Sequence, residues 1–113
     1  MPAAYIYDGY TQPGRINAVD GLHPEVNFLF RPKFGGDRAE VYSRMKLHAE
    51  GRNREDIVDV AIAGSMVEWD VRDGNDGTVP IHPQHVARLH PKVKLKMFEQ
   101  VMANQPAEEA AKN

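Results

Sequence analysis

The clearest alternation along the chain runs through residues 25–30. Val26, Phe28 and Phe30 stand apart from Glu25, Asn27 and Leu29 by a period of two, which sets three large apolar groups on one face of a strand. Arg31-Pro32 ends the run, because proline has no N–H to give a ladder. Upstream, Tyr5, Ile6 and Tyr7 lend strand character to residues 4–8, and Tyr10-Thr11 resumes it after Gly9. Gln12-Pro13-Gly14 and Asp20-Gly21 read as turns.

From Gly35 onward the period lengthens. Val41, Tyr42, Met45 and Ala49 recur at helical spacing, with Asp37 and Glu40 placed as a capping box and Gly51 as the closing residue. A second helix is predicted from Asn53, with Glu55 and Asp56 in its first turn, where acids favour the helix dipole. Its apolar stripe is Ile57, Val58, Ala61, Ile62, Ser65, Met66 and Trp69. The small residues Ala61, Ala63, Gly64 and Ser65 leave room for another element to approach. Residues 73–77 are a dense turn signal, flanked by 67–71 and 78–81 as arms of a short hairpin, with Pro80 marking an edge. Pro83 and Pro91 look like first-turn prolines, with His82 and His90 just outside two helices over 83–89 and 91–103. In the second of these, Val93, Met97 and Val101 make the stripe, and Phe98 and Met102 widen it.

These elements predict an α+β fold in which a small antiparallel β-sheet from the N-terminal third packs against about four α-helices. Phe28, Phe30, Ile57, Ile62, Trp69, Val86, Leu89 and Phe98 are expected in its core. The length of 113 residues suits one domain, placed at 1–104, with 105–113 a flexible C-terminal tail. The 14 basic and 16 acidic residues nearly balance, which gives no support to nucleic-acid binding. Lys92, Lys94 and Lys96 are spaced by two, and residues two apart do not line one helical face, so the run reads as solvated surface. The absence of cysteine removes disulfides and thiolate chemistry. No stretch has the order of a signal peptide or the length of a membrane span, so a cytoplasmic location without membrane contact is expected.

Candidate chemistry is sparse. His82, His85 and His90 do not share one helical face and read as helix-start and surface groups rather than metal ligands; His23 and His48 stand apart. Taken from Asp73, a calcium loop fails at its fifth, sixth and twelfth positions, Gly77, Thr78 and Gln84. Ser43 and Ser65 fall inside predicted helices, away from any nucleophile turn, and no glycine pattern matches a nucleotide fingerprint. These features point to a non-enzymatic protein with no cofactor and no metal. Trp69 is read first as a core anchor and second as an interface hot spot. Arg31 is read as a positioning group that pairs with Glu68 or Asp70. Met66 and Met102 belong to a set of methionines that suit either core or adaptable binding. Arg31, Trp69, Met66 and Met102 are therefore the candidate protein-binding residues.

Several residues are familiar in combination: Tyr10-Thr11 to Gly14, Leu22-His23-Pro24, Phe28-Leu29-Phe30-Arg31-Pro32, then Trp69-Asp70, Gly77, Val79-Pro80-Ile81 and Leu89-His90-Pro91. Over residues 22–103 this order resembles small tail-region proteins of bacteriophages and prophages, including tail assembly chaperone-like proteins. The resemblance implies a non-enzymatic partner in virion morphogenesis that holds a tail tape-measure or tail tube protein. A structural virion subunit (connector or tail-completion protein, able to form a homo-oligomer) is the alternative, and a nucleic-acid-binding regulator ranks below both. Virion association is implied on the same grounds. The strands before Leu22 depart from the mostly helical form of tail chaperones.

Overall fold

The alternating stretch Val26–Phe30 forms β2, the middle strand of a three-stranded antiparallel sheet. Its neighbours are β1 (Gln12–Ile16) on one side and β3 (Met66–Trp69) on the other. The computed structural model describes residues 5, 7–48, 51–75 and 77–110. The strand expected over 4–8 includes Ala4 and Ile6, and the stripe of the first predicted helix includes Ala49; these lie outside the described residues, as do Asp76 and 111–113.

The turn expected at Gln12-Pro13-Gly14 is instead the start of β1, with Pro13 opposite Leu29 and Gly14 opposite Phe28. Both residues fit because β1 lies at the sheet edge. Arg15 turns its backbone N–H and C=O outward to the Gln100 side chain, at 3.2 and 2.8 Å. Pro13 shares the parity of Arg15, so its missing N–H faces that same outer side and costs β2 no bond.

On the other edge, the register shifts between Leu29 and Phe30: Phe28 pairs with Trp69 and Phe30 with Met66. The extra residue is a bulge. Residues 66 and 69 would otherwise face opposite sides of the sheet; the bulge turns both inward and leaves Val67 and Glu68 exposed. This corrects the helical stripe drawn through Met66 and Trp69. The helix, α2 (Arg52–Ser65), stops where Met66 takes an extended conformation. Trp69 is a core anchor, 7% exposed, and its indole N–H donates to Val79 O at 2.6 Å. The expected hairpin reduces to a bridge between Arg72 and Thr78.

Helix α1 (Gly35–Leu47) begins two residues before the expected cap, and its N-cap Phe34 makes no side-chain bond. Asp37 therefore acts in the first turn, through the dipole rather than a capping box. Gly51 does not close α1; it is the N-cap of α2. Helices α3 (Pro83–Val86) and α4 (Pro91–Val101) start at their prolines as expected. In each case the preceding histidine is the cap. His82 Nδ1 accepts from Gln84 N and His90 Nδ1 from Lys92 N, both at 3.1 Å.

One face of the sheet, carrying Ile16, Val26, Phe28 and Phe30, joins Ile62 of α2 and Val93, Met97 and Val101 of α4 in a single apolar cluster. Six of the eight expected core residues are buried there, while Ile57 and Leu89 are packed against it partly exposed. Helix α4 ends in a Schellman motif: Asn104 N reaches Glu99 O at 2.8 Å and Ala103 N reaches Gln100 O at 3.0 Å. Ala103 sits in the left-handed region at φ 61°. Residues 105–110, expected to leave the domain as a tail, instead lie along β1, with Glu108 N donating to Arg15 O at 3.0 Å. Arg15 O and Asn17 N at the sheet edge supply the polar partners that hold the segment in place.

Candidate protein-binding surface

Three of the four residues singled out for partner contact are in the core. Met66 is 8% exposed, Trp69 7% and Met102 0%. The bulge in β3 and the last turn of α4 carry them inward, so their apolar surface is used within the fold. Arg31 is exposed, and its backbone N–H reaches Ser65 O at 2.7 Å. Of the acids expected to pair with it, Asp70 accepts instead from the backbone and side chain of Asn27, at 2.9 and 3.3 Å.

One outward apolar surface lies between α1 and α2. Ile57, Val60, Ala61 and Gly64 follow one another at i, i+3, i+4 and i+7, so they share one helical face. With Val41 of α1 they line a groove of about 400 Å³. Val60 is 56% exposed, and a Cβ added to Gly64 would meet nothing within 4 Å. A glycine inside a helix costs about 1 kcal/mol relative to alanine, and no neighbour within the fold calls for it here. The rim carries both signs, Lys33 and Arg44 beside Asp37, Glu40 and Asp56. Sequence reasoning passed over Val60 because it lies off the inward stripe. An apolar residue at that spacing, beside a bare glycine, was the available signal.

The lysine run is divided by the fold. Lys92 is exposed, but Lys94 is 12% exposed and lies 2.5 Å from both Asp59 Oδ1 and Glu55 Oε2. Burial by itself would lower the Lys94 pKa; the two carboxylates outweigh it and hold the ammonium above its ordinary value. The Asp59 contact is an ion pair rather than an aligned hydrogen bond, since Oδ1 lacks a partner of good hydrogen-bond geometry. Lys96 pairs on another side with Glu108 at 3.4 Å. The solvated strip expected of these lysines is thus limited to Lys92.

A second hollow, of about 540 Å³, lies between residues 22–26, the end of β3 and the start of α4. His23 and His90 meet there with ring centroids 5.7 Å apart. His23 Nδ1 lies 2.9 Å from Pro24 O, so that nitrogen donates, and Nε2 is buried without a hydrogen-bond partner. His90 is the reverse, because its Nδ1 accepts from Lys92 N. A metal on His90 Nε2 would have to displace that cap or strip a second proton. Among the described residues no group of three or more His, Asp or Glu side chains is placed to hold a metal ion. The turn at Asp73 closes on itself, with Asp73 Oδ1 accepting from Asn75 N at 2.8 Å. Ser43 lies exposed on α1, and Ser65 is buried at the end of α2. Among the described residues no helix is long and apolar enough to cross a membrane.

The fold and these surfaces define a small α+β protein. No protein-family model, curated protein or solved structure matches the chain.

Proposed function

We propose that this chain is a non-enzymatic protein-binding factor that takes an apolar helical segment of its partner into the α1–α2 groove. The observation that carries this reading is Val60, 56% exposed on a helical face whose next turn is a bare glycine with open space above it. An amphipathic helix approaching there finds apolar floor, close access at Gly64 and a rim of both signs for its polar flanks. The sequence resemblance to phage tail-region proteins supplies the setting, tail assembly, with a tape-measure or tail tube protein as the client. Co-expression with the products of neighbouring genes tests the reading. Retention of a tail component by the wild-type chain, lost on Val60→Glu, supports it. Failure of every neighbouring product to bind, or binding that ignores Val60→Glu, overturns it.

A further inference from the structure

The outer edge of β1 carries a second feature. Edge strands expose unpaired backbone groups, and proteins cover them. Here the cover has two parts. The buried Gln100 amide spans the N–H and C=O of Arg15 as a second strand would. Residues 105–110 then complete the edge. Glu108 N donates to Arg15 O at 3.0 Å, Asn17 N donates to Glu108 Oε1 at 2.8 Å, and Asn17 Nδ2 donates to Glu109 O at 2.7 Å. Lys96 Nζ stands 3.4 Å from Glu108 Oε2. One glutamate is thus read by a backbone N–H, a backbone C=O and a lysine, while the chain around it is extended against a strand.

The strap is held by polar contacts more than by apolar burial. Gln105, Pro106, Glu109 and Ala110 are exposed, and Ala107 is half-buried. Between the strap and α4 lies a hollow of about 400 Å³, lined by Ala107 and by Leu95, itself 61% exposed. An alanine leaves that hollow unfilled.

We infer that the Arg15–Asn17 edge with Lys96 is a docking strip for an extended, glutamate-bearing peptide of a protein partner, and that the strap at 105–110 is its built-in occupant. Strand addition supplies the main-chain bonds, and side-chain positions supply the specificity. The favoured partner has glutamate where Glu108 sits and a large apolar residue in place of Ala107, which fills the hollow beside Leu95. Such a segment competes with the strap by remaking the same polar contacts and burying more apolar surface, against the advantage the strap has from being tethered. This inference rests on the protein-binding reading but concerns a different face from the α1–α2 groove.

The test uses the full chain carrying Glu108→Lys, which removes the acceptor for Asn17 N–H and sets two cations together. The probes are the blocked hexapeptides Gln-Pro-Leu-Glu-Glu-Ala and Gln-Pro-Ala-Glu-Glu-Ala, followed by the amide resonances of Arg15, Asn17 and Lys96. Glu108→Lys is expected to speed exchange of the Asn17 amide. The leucine peptide then shifts these resonances saturably, about tenfold tighter than the alanine peptide and more tightly than it does on the wild-type chain. Lys96→Glu, a variant on the other side of the ion pair, is expected to weaken binding of the leucine peptide, because it sets a carboxylate against the peptide's glutamate. An Asn17 amide as protected in Glu108→Lys as in the wild type, or peptides that leave Arg15 and Asn17 unmoved, would overturn the inference. Because Val60→Glu leaves this edge intact, co-purification lost at Val60 with no peptide docking separates failure here from failure of the groove.

Discussion

The ring of Phe28 lies against the bare Cα of Gly14, so that a Cβ at position 14 would come within 2.1 Å of the ring edge. The two residues are opposite one another in the β1–β2 register, and the ring fills the space that a side chain on β1 would take. Phe28 is 5% exposed and wedged in the core, so it has little room to yield. Gly14→Ala is expected to destabilise the protein by about 1–3 kcal/mol, the usual range for forced overpacking. Chemical denaturation of the purified variant reads this directly, and a neutral result would mean the ring moves freely.

Lys94 and Asp59 form the most enclosed ion pair among the described residues, with side chains 12% and 6% exposed. Removing one partner leaves the other charge buried and uncompensated, so Lys94→Met is expected to cost about 3 kcal/mol. The double variant Asp59→Leu/Lys94→Met is expected to recover most of that loss, since an apolar pair of similar size replaces a desolvated ionic one. A denaturation cycle over the four proteins reads the coupling.

The same lysine sets a pH dependence. Its pKa is raised in the folded state, so its contribution is fully present below the ordinary value of 10.5 and fades as pH rises through the higher folded value. The urea midpoint is expected to fall more steeply in the wild type than in Lys94→Met as pH rises above 10.5.

Ala103 holds the left-handed position of the Schellman motif at φ 61°, where glycine is the usual occupant. The conformation costs an L-residue about 1–2 kcal/mol, partly offset by the extra freedom that glycine loses on folding. Ala103→Gly is therefore expected to stabilise the protein by about 0.5–1 kcal/mol, seen as a higher denaturation midpoint. Arg38 and Tyr42 bond the Asn104 side chain, at 2.5 and 2.6 Å, so the motif stays fixed while its strain is relieved.

Much of the fold was legible because its signals are local. The alternation of β2, the stripes of α2 and α4, and the proline-histidine starts of α3 and α4 depend on residues within a turn or two of each other. The misreadings share a physical cause. Gln12-Pro13-Gly14 carries turn chemistry locally, yet Phe28 and Gln100, 14 and 86 positions from Gly14, make a strand of it. The inward placing of Met66 and Trp69 depends on a bulge against β2, which helical spacing mimics. Residues 105–110 look like a tail until Arg15 and Asn17 are there to hold them. The candidate site was the least legible part: the small residues around Gly64 were visible as room for an approaching element, but Val60 gains meaning only when the fold leaves it outside.

Gly64 separates stability from binding. With open space at its Cβ, Gly64→Ala is expected to stabilise the helix by about 1 kcal/mol while weakening any partner that packs close against that turn. Val60→Glu is expected to change stability by less than about 0.5 kcal/mol, as for an exposed position. A Gly64→Ala protein that is both more stable and unchanged in binding would place the partner elsewhere.

Photo-crosslinking from position 60 tests the groove most directly. A benzophenone amino acid is placed at Val60 or, as the control on the exposed face of α4, at Lys92, and each variant is co-expressed with the neighbouring gene products. Binding in the α1–α2 groove gives a covalent adduct with the partner from position 60 and none from 92. An adduct from 92 alone, or a chain that stays unmodified at both positions while still co-purifying with a partner, would contradict it.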